Sequence, residues 1–302
     1  MPVRSIDVDG PLDLIRTLSP LSRGRADRTI QLAAGRAWLA LRTSDGPATL
    51  ALALDGGTLQ CEAWGAGAAA VLDRAHDLVG IGRERPSLVG PSALVTDLAR
   101  RYPGVRIPRT GDVMGSLIPA ILEQKVTGDE ARRAWFGLVR ALGEDAPGLA
   151  GMGSRLRLPP TATTFAGLPY FAYHPFGVER RRADLIRRVA ARAAWFEDVT
   201  ELSPEAARAR LTALPGLGPW TAAEVAVRAL GDADAVSVGD YHLKHLVSWA
   251  LAGEPRGTDE RMLELLAPYA GRRAVVIRLL ELSGLRPPRY GPRLAPRRIE
   301  SS

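Results

Sequence analysis

The chain has 302 residues, 46% hydrophobic and 24% charged, the proportions of a globular protein long enough for two modest cores. That balance argues against disorder, collagen-like repeats or a coiled-coil fibre, and no apolar run approaches the roughly 20 residues that span a bilayer. The net charge is +7 and the pI near 10.1, and only Lys125 and Lys244 are lysines, so 38 of the 40 basic residues are arginines.

Arginine forks suit phosphate oxygens, and a basic surface attracts polyanions by counterion release. An Arg-, Ala- and Gly-rich composition inherited from the genome gives the same surplus without any such partner. The segment after Met1 carries acids where a secretory leader needs an apolar stretch, so the cytoplasm is the expected compartment. Cys61 is the single cysteine, which rules out an intrachain disulfide and any cysteine-built zinc or iron–sulfur centre. His242 and His245 share a helix face but lack a neighbouring carboxylate pair, so metal-free chemistry is favoured over a His-based site.

In chain order, four short apolar or alternating bursts come first, at residues 28–32, 37–43, 48–54 and 58–64. The turn signals Ala34-Gly-Arg, Ser44-Asp-Gly and Asp55-Gly-Gly separate them, which predicts antiparallel hairpins followed by a helix over 68–79. A Gly/Pro-punctuated stretch at 80–90 marks a boundary. Apolar recurrence at three and four then predicts helices near 91–102, 111–124, 128–142, 178–195, 203–213, 219–230, 241–251, 258–269 and 271–283. Residues 143–162 read as a loop, and the basic, proline-rich tail reads as extended. The expected architecture is mainly α with an α+β amino-terminal domain: a small antiparallel sheet plus helix over 1–88, a helical domain over 89–285, and the tail 286–302.

The most informative stretch is Leu214-Pro-Gly-Leu-Gly-Pro-Trp220. One helix ends, Gly216 and Gly218 turn the chain, and a second helix opens at Pro219. Glycines let backbone N–H groups approach an anion, and the helix N-terminus adds positive potential, so the hairpin suits a sequence-blind phosphate clamp. An ordinary αα-hairpin would use the same glycines merely to fit its turn. Downstream, Asp240 follows an extended segment and opens the next helix, a place where an Asp is commonly only a cap.

Together these residues resemble the helix-hairpin-helix, Gly/Pro-rich loop and aspartate superfamily of DNA base-excision glycosylases. Leu214-Pro-Gly-Leu-Gly-Pro-Trp followed by Val238-Gly-Asp-Tyr-His-Leu-Lys is similar to the alkylbase branch, the 3-methyladenine DNA glycosylase II type. In that branch the catalytic aspartate lies twenty residues after the tryptophan, the interval from Trp220 to Asp240. Supporting matches are Ile121-Leu-Glu-Gln-Lys-Val-Thr, which looks like a family helix, and Phe176-Gly-Val-Glu-Arg-Arg-Arg-Ala-Asp-Leu-Ile, which looks like the helix before the hairpin, placed here at 205–230.

The resemblance implies hydrolysis of the N-glycosidic bond of a flipped-out alkylated base in double-stranded DNA, by a monomer, with Asp240 as the catalytic carboxylate. It implies a base pocket of Trp220, Glu224 and Tyr241, and DNA contacts from Gly216, Gly218, Thr221, Gln124, Lys125 and Lys244. Lys125 falls at the family's wedge position, where it would plug the gap or contact a phosphate; a solvated helix position is the plain alternative. Trp220 could instead be a core tryptophan, and Glu224 could simply pair with Arg228 four residues on. No cofactor is required, though family hairpins bind Na+ or K+ through main-chain carbonyls, here those of Thr212, Leu214 and Leu217.

Three departures from the superfamily stand out. The lysine of bifunctional members is replaced by Trp220, and the four cluster cysteines of the iron–sulfur branches are missing; both point to a monofunctional enzyme. The residue before the aspartate, often acidic, is Gly239. The rival readings are a glycosylase for oxidised, deaminated or mismatched bases, and a catalytically inert helix-hairpin-helix DNA-binding protein.

Overall fold

The computed structural model describes residues 2–84, 88, 90–148 and 156–288. Strands β1 (Val3–Asp7), β2 (Ile30–Ala33), β3 (Arg36–Thr43), β4 (Gly46–Asp55) and β5 (Thr58–Trp64) form one antiparallel sheet in the order β1-β5-β4-β3-β2. The turn signals work as read, with Gly35, Gly56 and Gly57 at positive φ between paired strands and Gly46 at positive φ where β4 begins. Helices α1 (Leu14–Leu18), α2 (Ala68–Asp73) and α3 (Ala75–Leu78) complete this part, and the sheet buries Leu39, Leu50, Leu52 and Leu59 against Leu18, Val71 and Leu72.

Two features of this part escape the sequence pattern. The edge strand β1 is exposed along nearly its whole length, so it carries no alternation to read. The helix expected over 68–79 is broken at Arg74 into α2 and α3.

Beyond the boundary run α4 (Ala93–Arg101), α5 (Val113–Leu122), α6 (Gly128–Leu142), α7 (Ala162–Gly167), α8 (Arg180–Ala190), α9 (Ala193–Glu197), α10 (Pro204–Thr212), α11 (Pro219–Val225), α12 (Leu243–Ala252), α13 (Asp259–Leu266) and α14 (Arg273–Leu282). The stretch expected as a loop at 143–162 instead holds a two-stranded ribbon, Glu144–Asp145 against Arg157–Leu158. The Arg157 guanidinium fastens it to the Val139 and Gly143 carbonyls. The single helix expected over 178–195 is two, α8 and α9, because the turn at Arg192 lets Phe196 and Val199 reach the core. Of the expected tail, residues 289–302 lie outside the described residues. Among the described residues no helix is long and apolar enough to cross a membrane.

The helical part has two cores. Helices α5 to α11 pack Leu117, Ile121, Trp135, Tyr173, Ile186, Leu211, Leu217 and Val225 into one. Helix α4 crosses away to join α12, α13 and α14, where Val95 and Leu98 meet Val247, Met262, Leu266 and Leu280. The seam between these two cores positions the candidate site.

Candidate active site and nucleic-acid interface

Helix α10 is opened by Ser203, whose hydroxyl accepts from the Ala206 amide, with Pro204 in its first turn. It ends in the turn around Leu214–Leu217, closed by Leu217 N donating to the Leu214 carbonyl at 3.0 Å. Gly216 has φ +107, and a Cβ there would meet the Leu185 methyl carbons at 3.1 Å, so only glycine fits this corner comfortably. Gly218 differs: its φ is −103 and a Cβ added to it would meet nothing within 4 Å. The space over Gly218 is open in the free protein. Leu217 turns inward and is buried, anchoring the hairpin with roughly 2 kcal/mol of burial.

Pro219 then starts α11, and Trp220 in its first turn is half-buried at the seam. The indole Nε1 donates to Asp240 Oδ2 at 3.2 Å. Oδ1 of the same carboxylate accepts from the amides of His242 (2.7 Å) and Leu243 (2.8 Å), which caps α12. The cap and the active-site readings of Asp240 are therefore served by different oxygens. Three N–H donors converge on this half-buried anion, each a charge-assisted bond that fixes its orientation. Tyr241 beside it is 72% exposed, set edge-to-face against His242 and His245.

Glu224 lies one turn after Trp220, as its spacing requires, but its carboxylate departs from the expectation of facing a base. Oε1 accepts from Ser237 Oγ at 2.5 Å and Oε2 pairs with Arg228. Arg228 in turn donates to the Pro20 carbonyl at 3.1 Å, tying α11 to the amino-terminal part. Ser237 is the residue whose carbonyl accepts from Asp240 N at 3.2 Å. Glu224 and Arg228 thus form the pair that their spacing allows, enclosed behind the aspartate loop, in place of a free pocket acid.

Gln124 and Thr221 meet each other: Gln124 Nε2 donates to Thr221 Oγ1 (3.0 Å) and to the Gly216 carbonyl (3.1 Å). Thr221 is buried, so its hydroxyl serves this latch rather than an outside ligand. Lys125, next along, is exposed and holds φ +56, unique among the described non-glycine residues. Lys244 lies 3.6 Å from Asp259, whose other oxygen accepts from Gly239 N, so it braces the aspartate loop.

Sequence reasoning missed Ser237 and Asp259, which carry no motif and act only through tertiary contact. At the hairpin, Leu214 O keeps a second lone pair beside its turn bond, and neutral carbonyl oxygens are chemically suited to an alkali cation. Among the described residues no cluster of three or more His, Cys, Asp or Glu side chains is placed to hold a metal.

No family profile matches the chain. Two curated relatives, from two strains of Mycobacterium tuberculosis and both named probable bifunctional transcriptional activator/DNA repair enzyme AlkA, are 34% identical over 146 residues, 48% of this chain. The match spans only 28% of those relatives' own length. Among solved structures, a 3-methyladenine DNA-glycosylase from Archaeoglobus fulgidus superposes with TM-score 0.76 at 18% identity, covering 92% of this chain and 97% of that one. A Clostridium acetobutylicum 8-oxoguanine glycosylase/lyase in complex with double-stranded DNA superposes with TM-score 0.62 at 12% identity, covering 83% and 95%. The chain thus has the fold of the helix-hairpin-helix DNA glycosylases, with a five-stranded antiparallel sheet set before the helical body.

Proposed function

We propose that the chain is a monofunctional DNA glycosylase of base-excision repair that hydrolyses the N-glycosidic bond of a flipped-out alkylated base, of the 3-methyladenine or 7-methylguanine class, leaving an abasic site. The observation that carries this reading is Asp240, held by three N–H donors, with one oxygen on the Trp220 indole immediately after the hairpin. A base inside a duplex is out of reach of any side chain, so the nucleotide must leave the stack. As the bond to the base lengthens, positive charge develops on the sugar; the fixed carboxylate stabilises it and orients the attacking water. A base that is already cationic departs without protonation, so one carboxylate suffices.

The Trp220 ring stacks on the extruded base while amides of the hairpin hold the phosphates of double-stranded DNA, indifferent to sequence. On the same reading, the carbonyls of Thr212, Leu214 and Leu217 take a Na+ or K+ ion, and the enzyme acts as a monomer wherever the chromosome lies. Position 220 offers no amine for attack on the sugar, so the reaction stops at base release.

The test is base release from DNA carrying a panel of lesions, read by mass spectrometry. Wild type should free methylated purines, and Asp240→Asn should bind the same DNA but lose at least about 3 kcal/mol of barrier lowering. Borohydride should trap no protein–DNA adduct. Turnover by Asp240→Asn at the wild-type rate overturns the assignment; DNA binding without release of any base by wild type leaves the inert clamp.

A further inference from the structure

A groove of about 610 Å³ opens between α6, the short 3₁₀ turn Tyr170–Phe176 and the amino-terminal part. Arg28, Arg133 and Arg140 line it, all exposed, and among the described residues none of the three has an ion-pair partner. Among the other described arginines somewhat over half are held in ion pairs, such as Arg132–Asp129, Arg157–Asp145 and Arg182–Glu179. The acid on the groove wall, Glu130, gives Oε2 to the amide and hydroxyl of Thr127 in a capping box.

Between the arginines lie Phe136 and Phe176, half-buried, with their inner sides against the helical core. The depth of the groove depends on Gly137: a Cβ there would come within 2.8 Å of Phe176 Cδ1. A glycine in the middle of α6 costs the helix about 1 kcal/mol relative to alanine, and here it lets the ring lie close to the helix backbone. One end of the groove is tied to the hairpin. Gly177 on its rim accepts from the buried Arg182, which also donates to the Leu122 carbonyl at 2.8 Å, two residues before Gln124 and its bond to Gly216.

We propose that this groove is a second nucleic-acid site, which takes unpaired nucleotides of a DNA strand running past Lys125 from the hairpin. Three uncompensated guanidinium groups match backbone phosphates, and two aromatic rings between them match unstacked bases of any sequence. An acidic protein segment would use the arginines but has no need of the rings. The inference rests on DNA being the ligand of the chain.

The full chain is titrated by fluorescence anisotropy with a short blunt duplex and with the same duplex carrying an oligothymidine tail, at several salt concentrations. Wild type is expected to bind the tailed duplex about tenfold more tightly. Arg133→Ala with Arg140→Ala should remove most of that preference and lower the salt slope on the tailed duplex by about one to two. Phe176→Leu, which keeps an apolar side chain over Gly137, should reduce the preference several-fold, and the preference that remains should keep its salt dependence because the arginines still meet phosphates. Equal wild-type affinity for the two DNAs, or a preference that survives both variants, overturns the groove while leaving the hairpin reading intact. No binding to either DNA overturns both. Binding of a polyglutamate peptide that competes with the tail and is lost in the arginine variant but kept in Phe176→Leu assigns the groove to an acidic protein and also overturns the proposal.

Discussion

Asp240 divides its two oxygens between holding α12 and facing Trp220, and its neighbours explain how the loop that carries it stays in place. Ser237 Oγ is held by Glu224, the Ser237 carbonyl by Asp240 N, and Gly239 N by Asp259. Glu224 therefore acts on the aspartate from behind, and its charge is spent on Arg228. Glu224→Gln keeps an acceptor for Ser237 but leaves an enclosed guanidinium without its counter-charge, a loss of about 2 kcal/mol in unfolding free energy. Excision of 7-methylguanine and of hypoxanthine should fall by the same factor in this variant, measured under single-turnover conditions. Selective loss of the cationic base would instead put the carboxylate in the pocket. Gly218 supplies a second residue-scale test, because its open surroundings allow a side chain in the free protein. Gly218→Val should melt within a few degrees of wild type yet bind duplex at least about tenfold more weakly at every sequence, since the branched side chain stands where phosphate must approach the amides. Unchanged affinity would remove the clamp.

At the scale of elements, the link between α5 and α6 is held from both ends. Gln124 fastens one side to the hairpin and the Thr127–Glu130 capping box fastens the other, which leaves Lys125 in the left-handed region, where a lysine is strained by about 1 kcal/mol. Held this way, its side chain projects from an exposed turn next to the hairpin. Lys125→Gly should raise the melting temperature slightly or leave it unchanged while lowering kcat/KM for base release, and a glycine variant with full activity would return Lys125 to the solvated surface. Helix α11 shows another device. Past Val225 it widens into a π-helical turn, Ala226–Leu230, whose carbonyls at Arg228 and Ala229 accept from Thr110 and Gly111. The extra residue in that turn ties the helix bearing Trp220 to the segment leading into α5, the kind of irregularity found at functional sites.

At the scale of the whole molecule, the start of α5 is held by acids from two distant parts of the chain. Asp112 caps that helix, and both oxygens of Glu197 accept from its first amides, Val113 N and Met114 N. Burial, and after it the Asp112 carboxylate, pushes Glu197 up to about 7 from 4.5, with the Met114 and Val113 amides and then Arg74 pulling the other way. Burial also raises Asp112, Glu123 and Glu281. A raised carboxylate retains in the folded state a proton that the unfolded chain has released. Its stabilising contribution is complete below about pH 4.5 and is lost as pH rises toward 7. His245, lowered by burial, works in the opposite sense. The melting temperature should therefore decline between about pH 5 and 7 more steeply in wild type than in Glu197→Gln, which cannot titrate. Parallel profiles for the two proteins would show that Glu197 has no such proton.

The local pattern of this sequence determined the hairpins of the sheet, the placing of most helices and the hairpin with its aspartate, because turn glycines, apolar periodicity and a fixed interval are all written within a few dozen residues. It also determined that Trp220 and Glu224 share a face, since that follows from the helical repeat. Only the tertiary structure decided what each face meets. It joined α4 to the carboxy-terminal helices across the chain, broke 178–195 so that Phe196 could enter the core, and turned Glu224 toward Ser237 and Arg228. It also set three arginines, without ion-pair partners among the described residues, around two rings and a glycine at one groove. Such facts depend on residues far apart in the chain packing at one place, and no local period or spacing records which distant side chain will complete a hydrogen bond or neutralise a charge.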